Sequence, residues 1–186
     1  MPPLRFPLQT ERLLLRPFTD GDLEAVFAIQ SGEDVTRYLY WGPRSLDEVR
    51  HQLKRLKAMT AIDGESDALR LAAVARESGE LIGDVSLHSV NRDHLQAELG
   101  FILHPDHQGQ GFGTEAAAEM VRIGFEDLGF HRIYGSCDAR NTASARLMER
   151  LGMRREAHFR ENEFVKGVWC DELIYAILAT EWAEAH

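Results

Sequence analysis

The sequence predicts an α/β fold: a mixed, mostly antiparallel sheet with helices on both faces. Three observations carry this. Strand and helix periods follow one another as strand, helices, three strands, helix, strand, helix, two strands. Residues 69–103 hold three β-rich segments parted only by short turns, the signature of an antiparallel meander. Then Gly109, Gly111 and Gly113 stand directly before an alanine-rich run with helical spacing. Glycine there costs backbone entropy, so that stretch needs positive φ or a backbone free of side chains.

Taken in order, residues 11–16 (ERLLLR) read as a first strand. Thr19 with Asp22 three residues on is a capping box for a helix over 20–30, and Ser45 with Glu48 repeats the signature. The second helix carries Val49, Leu53, Leu56 and Met59 on one face. Strands follow over 69–76, 80–90 and 96–103, with turns at Ser78-Gly79 and Asn91-Arg92-Asp93. A helix over 114–128 turns Ala117, Met120, Val121 and Phe125 inward and ends at Gly129, placed as a C′ glycine. Residues 131–138 are the next strand and 142–151 a short helix closed by Gly152. Residues 153–178 form two long strands turning near Lys166-Gly167.

With 186 residues the chain is expected to form one domain, 1–186. It has no internal repeat or linker and no apolar run near the roughly 20 residues of a membrane span. The first residues lack a signal-peptide pattern, so a cytoplasmic protein without membrane contact is expected. A net charge of −9 argues against a nucleic-acid partner. Cys137 and Cys170 make neither a disulfide framework nor a zinc site and read as small buried hydrophobes on strands.

The glycines precede a helix N-terminus, whose free N–H groups and dipole suit an anion. A dinucleotide fingerprint would need glycine where Thr114 stands, and a P-loop would need lysine there. A glycine turn that binds nothing is the plain alternative. The spacing Gln108-x-x-Gly111-x-Gly113 resembles the Q/R-x-x-G-x-G/A motif of the GCN5-related N-acetyltransferases (GNAT). The likeness extends over nearly the whole chain and narrows toward the acetyltransferases of ribosomal-protein N-termini, the RimJ/RimL type. It runs through Thr10-Glu11-Arg12-Leu13-x-Leu15-Arg16, Ala97-Glu98-Leu99-Gly100-Phe101, Asn141-x-x-Ser144-x-x-Leu147-Met148 and Trp169-x-Asp171.

That resemblance implies acetyl-CoA as co-substrate, no metal, direct transfer of acetyl to a primary amine, and a central strand pair splayed to admit the thioester. It implies cofactor contacts at Phe101, Ile102 and Leu103, at Gln108, Gly109, Gln110, Gly111, Phe112, Gly113 and Thr114, and at Asn141 and Ser144, with the oxyanion donor an N–H near Phe101. Glu115 is expected to turn aside from the phosphates. An alkylamine of pKa near 10 is mostly protonated at pH 7, and Glu98 is the candidate general base. Many relatives use a tyrosine on the Asn-bearing helix to protonate the thiolate. Met148 stands in that stretch here, leaving Ser144, or Tyr134 on the next strand, as the candidate donor.

His104 and His107 have a spacing seen in metal sites, without further ligands in sight. His88 is a candidate for the acceptor pocket. Tyr38, Tyr40 and Trp41, with Glu161 and Glu163, would suit a cationic acceptor, core packing being the stronger expectation for the aromatics. The acceptor is a protein N-terminus or a small amine, a homodimer is compatible with the resemblance, and a non-catalytic acyl-CoA-binding module on the same scaffold is the rival class.

Overall fold

The meander at residues 69–103 lies at the centre of one long sheet. The computed structural model describes residues 4–63 and 67–185. In chain order its strands are β1 (Leu8–Gln9), β2 (Leu13–Arg16), β3 (Thr60–Ile62), β4 (Asp67–Ala75), β5 (Leu81–Asn91), β6 (Gln96–Leu103), β7 (Arg132–Asp138), β8 (Arg154–Val165) and β9 (Val168–Leu178). The helices are α1 (Leu23–Gln30), α2 (Glu33–Thr36), α3 (Leu46–Ala58), α4 (Phe112–Arg122), α5 (Thr142–Arg150) and α6 (Ala179–Ala185). Among the described residues the sheet order is β1-β2-β4-β5-β6-β7-β9-β8, with β3 also on β4. Every pairing is antiparallel except β6 with β7.

Local chemistry explains the element ends. Asp22 accepts from the Thr19 backbone N–H at 2.7 Å, and the first turn, Asp20–Asp22, is a tight 3-10 turn before α1. Ser45 and Glu48 form the expected reciprocal cap of α3. Lys166 and Gly167 both have positive φ, 51° and 84°, which suits the two-residue hairpin joining β8 to β9. The glycine-led helix begins at Phe112, earlier than expected, and continues past Arg122 as a π-helical turn over Ile123–Asp127.

The alternation of each strand sorts side chains into two layers. Leu69, Leu71, Val85, Leu87, Leu99 and Ile133 point into the main core beneath α4 and α5, with Ala117, Met120, Val121 and Met148. Ala72 points the other way, onto a smaller cluster under α1 and α3 with Val26, Val49, Leu53 and Leu56. On that second face the registers Arg70–Ser86–Gly100 and Ala68–His88–Glu98 align polar residues. Apolar packing there gives way to a cleft.

Candidate active site

The cleft starts where a strand pair parts. β6 and β7 run in parallel register for three pairs, ending at Glu98 opposite Tyr134, although β6 continues to Leu103 and β7 to Asp138. His104 donates its N–H to Ile82 on the β5 side. Backbone groups alternate along a strand, so those of Phe101 and Leu103 point away from β5, toward the gap. Ile102 is paired with Asp84 and its backbone is turned to β5; only its side chain reaches the cleft.

At the far end of β6 the loop turns into α4. Gly109 (φ 74°) and Gly111 (φ 87°) hold left-handed conformations that other residues adopt with strain, and Gly111 is the N-cap of α4. No side chain caps this helix, so its first-turn N–H groups remain open beside Gly109, Gly111, Gly113 and Thr114, which line the cleft. A Cβ at Gly109 would meet nothing within 4 Å. Open donors, a positive helix end and a backbone cleared of side chains fit a diphosphate. Glu115, a carboxylate that would oppose one, is tied back: Thr10 Oγ1 and the Arg12 N–H donate to it at 2.5 and 2.7 Å, and Arg12 Nε pairs with it at 2.8 Å. Despite partial burial, these partners hold its carboxyl below the usual range. The side chains of Gln108 and Gln110 brace the loop by donating to Leu103 O and Asp106 O.

Glu98 lies half-buried at the apex of the split and accepts from Ser136 Oγ at 3.1 Å. Burial, and secondarily the charge of Glu163, push its carboxyl above the ordinary carboxylate range; Ser136 opposes this in part. Glu172 is likewise raised by burial and by Glu163. Tyr40 Oη donates to Glu163 at 2.8 Å and its own ionisation is pushed up by burial and that carboxylate. Glu98, Glu163 and Glu172 thus make an acidic wall.

Across the gap, Asn141 caps α5 by accepting the Ser144 N–H at 3.1 Å, and both residues line the cleft. Met148 is 1% exposed and packs beneath Gly135. Tyr134 is half-buried beside Glu98 in register and is not among the lining residues. Cys170 is buried on β9; Cys137 on β7 is only partly so and reaches the cleft, with its thiol pushed up to about 11 by burial.

The cleft encloses about 1380 Å³, above the roughly 300–1,000 Å³ of one small-molecule pocket. It has room for two ligands. It collects Glu98, Phe101, Ile102, Leu103, Gln108, Gly109, Gly111, Gly113, Thr114, Asn141 and Ser144. The side chains of two further residues of the loop are engaged outside the cleft: Gln110 braces Asp106, and Phe112 packs under the Arg12 guanidinium, 4.5 Å from its ring centroid. Glu161 is also displaced, because a bulge between Phe159 and Glu163 sends it outward and Glu172 takes the place on the wall. Tyr38, Tyr40 and Trp41 line the cleft instead of packing in the core. His88 lines it too, its imidazole held below the usual range by burial and by Arg70. His104 and His107 stack edge-on at 6.0 Å, and among the described residues no cluster of three metal-ligating side chains occurs. Ser136, Glu172, Arg44, Arg70 and Arg150, which donates to Thr114 Oγ1 at 3.2 Å, were not found from sequence; their partners lie on other elements, 10 to 38 residues away.

A family model, the acetyltransferase (GNAT) domain, matches residues 12–154. The chain belongs to the GNAT acetyltransferases. For a GNAT enzyme the co-substrate is acetyl-CoA and the chemistry is acetyl transfer to an amine, which the glycine cradle and the split strands suit. Over 174 residues the chain is 33% identical to the uncharacterized N-acetyltransferase YoaA of Bacillus subtilis, covering 93% of this chain and 97% of that one. The crystal structure of a GNAT-family acetyltransferase from Bacillus anthracis superposes with a TM-score of 0.83 at 30% identity, over 93% of this chain and 98% of that one. Spermidine N-acetyltransferase from Vibrio cholerae, solved in complex with CoA and spermine, superposes with a TM-score of 0.79 at 26% identity, over 94% and 99%.

Proposed function

We propose that this GNAT enzyme transfers acetyl from acetyl-CoA directly to a primary amine in a ternary complex, with Glu98 as the base. The observation that carries this is a half-buried carboxylate of raised pKa at the apex of the β6–β7 split. A base poised toward neutral pH takes a proton from an ammonium more effectively than an ordinary carboxylate. Glu163 and Glu172 attract the cationic amine to that point.

The other residues supply what transfer requires. The N–H groups at Gly111, Gly113 and Thr114 hold the diphosphate, and the Phe101 N–H, pointing into the gap, meets the charge developing on the thioester oxygen. Asn141 spends its carbonyl on the α5 cap and keeps its NH₂ for the pantetheine. Ser144 Oγ stands one turn on as the proton donor to the leaving thiolate. The lining cysteine argues against a covalent relay: a thiol lifted to about 11 is almost wholly protonated at pH 7.

Initial rates measured against both substrates test this. Direct transfer gives intersecting double-reciprocal lines, with Cys137→Ser retaining activity. Parallel lines and an inactive Cys137→Ser would replace it with an acetyl-cysteine mechanism.

A further inference from the structure

The cleft that holds the acidic wall also carries the other sign. Arg44, between α2 and α3, is half-buried and lines it. Its backbone N–H donates to Gln30 O at 3.0 Å and its Nη1 to Gln30 Oε1 at 2.7 Å, while its guanidinium stacks 3.9 Å over the Trp41 ring. Gln30, at the end of α1, is only 2% exposed, so this clamp is fixed. Among the described residues no carboxylate lies within ion-pair distance of Arg44.

Asp84, a carboxylate lining the cleft, is already engaged. Arg70 Nε and Nη2 both lie 2.8 Å from Asp84 Oδ1, and that pair is buried. Burial and the Arg70 charge hold Arg44 below the ordinary arginine value, against an opposing pull from the Glu48 carboxylate, which is itself engaged by Ser45 in the cap of α3. His88, whose imidazole burial and the Arg70 charge hold below its usual range, supplies no negative charge. A half-buried guanidinium with one of its five donors engaged and no carboxylate in contact, Glu48 acting on it only from farther off, is a poor structural tether. It is a good receptor for a carboxylate or a phosphate.

The spacing suits one ligand that touches both walls. By the strand registers, Arg70, whose charge acts on Arg44, lies two strands across and two residues along from Glu98, about 12 Å between Cα atoms. A polyamine with its reacting nitrogen at Glu98 would push its next ammonium toward Arg44. An amine with an anionic tail would meet opposite charge at both ends.

We propose that Arg44 sets acceptor specificity by binding an anionic group several bonds from the reacting nitrogen, so that the acceptors are amines carrying a carboxylate or phosphate. This rests on the cleft being the acetyl-transfer site.

Thiol release from saturating acetyl-CoA is compared for four acceptors of similar length: ε-aminocaproate, aminobutyl phosphonate, aminohexanol and diaminohexane. Wild type should favour the anionic amines by about 30-fold in kcat/KM over diaminohexane, the scale of one charge-assisted hydrogen bond. Whichever of carboxylate and phosphonate is faster names the group. Arg44→Glu should reverse the order, mainly through KM, and Arg44→Lys should restore part of it. Unchanged acetyl-CoA affinity by calorimetry serves as the folding control.

A wild-type preference for diaminohexane, or an order unmoved in Arg44→Glu, overturns the proposal and leaves the transferase intact. Calorimetric binding of ε-aminocaproate to the CoA-loaded protein gives the separate arm. If no amine is acetylated yet ε-aminocaproate binds and Arg44→Glu abolishes that binding, the transfer reading fails and the anion site stands.

Discussion

Glu98→Gln isolates the proposed base. Glutamine has the same shape, can still accept from Ser136 Oγ, and leaves the β5–β6–β7 register undisturbed. What it removes is proton affinity. An alkylammonium of pKa near 10 is neutral in only about one part in a thousand at pH 7, so the enzyme draws on that fraction unless a base assists. General-base assistance is worth roughly 10²–10⁴ in rate, or about 3–5 kcal/mol. The expected loss in kcat is of that size, with acetyl-CoA affinity nearly intact because Glu98 is remote from the diphosphate cradle. The pH profile gives the sign. Glu98 acts when deprotonated, and burial raises its pKa, so wild-type activity climbs as pH rises through a limb above the ordinary value of about 4.3. The variant should lack that limb. Steady-state thiol release from pH 5 to 9 reads both quantities. Wild-type kcat with an unchanged acid limb in folded Glu98→Gln would show that Glu98 is not the base and move that role to a water chain or to Glu172.

Gly111→Asp places a Cβ 3.2 Å from Arg12 Nη2, forces φ near 87° on a side-chain residue, and adds negative charge to the phosphate cradle. Calorimetry should show acetyl-CoA affinity falling by on the order of 100-fold. Asn141→Ala should act mainly through the KM for acetyl-CoA and also cost about 1 kcal/mol of stability, since its carbonyl caps α5. Ser144→Ala should lower kcat by about tenfold, roughly 1.4 kcal/mol, with KM unchanged; wild-type behaviour in both parameters would leave solvent as the proton donor.

Much of this was legible because its causes are local. The Thr19–Asp22 and Ser45–Glu48 boxes, the Lys166-Gly167 turn, the C′ glycine Gly129 and the bounds of β6 each rest on residues within one turn of one another. Glu98 could be placed because β6 carries no bulge at Gly100; the register shift in that pairing comes later on β5, between Ser89 and Asn91. Strands of two and three residues such as β1 and β3 escaped notice, since a pairing partner creates them rather than their own pattern. The acidic wall was half right for a similar reason. A bulge in β8 is a property of two strands, and it exchanges Glu161 for Glu172 without a mark in either segment. Arg44, Arg70 and Ser136 find Gln30, Asp84 and Glu98 only after the chain folds.

Acetyl transfer from acetyl-CoA to an amine in this cleft is tested most directly by thiol release from acetyl-CoA measured with and without a panel of amines, paired with mass spectrometry of the products. The expected result is amine-dependent release matched one for one by N-acetylated amine, with only slow hydrolysis when no amine is present. Acetyl-CoA that binds tightly yet yields no acetylated product with any carboxylate-bearing, neutral or polycationic amine would contradict it, and would make the protein an acyl-CoA-binding module.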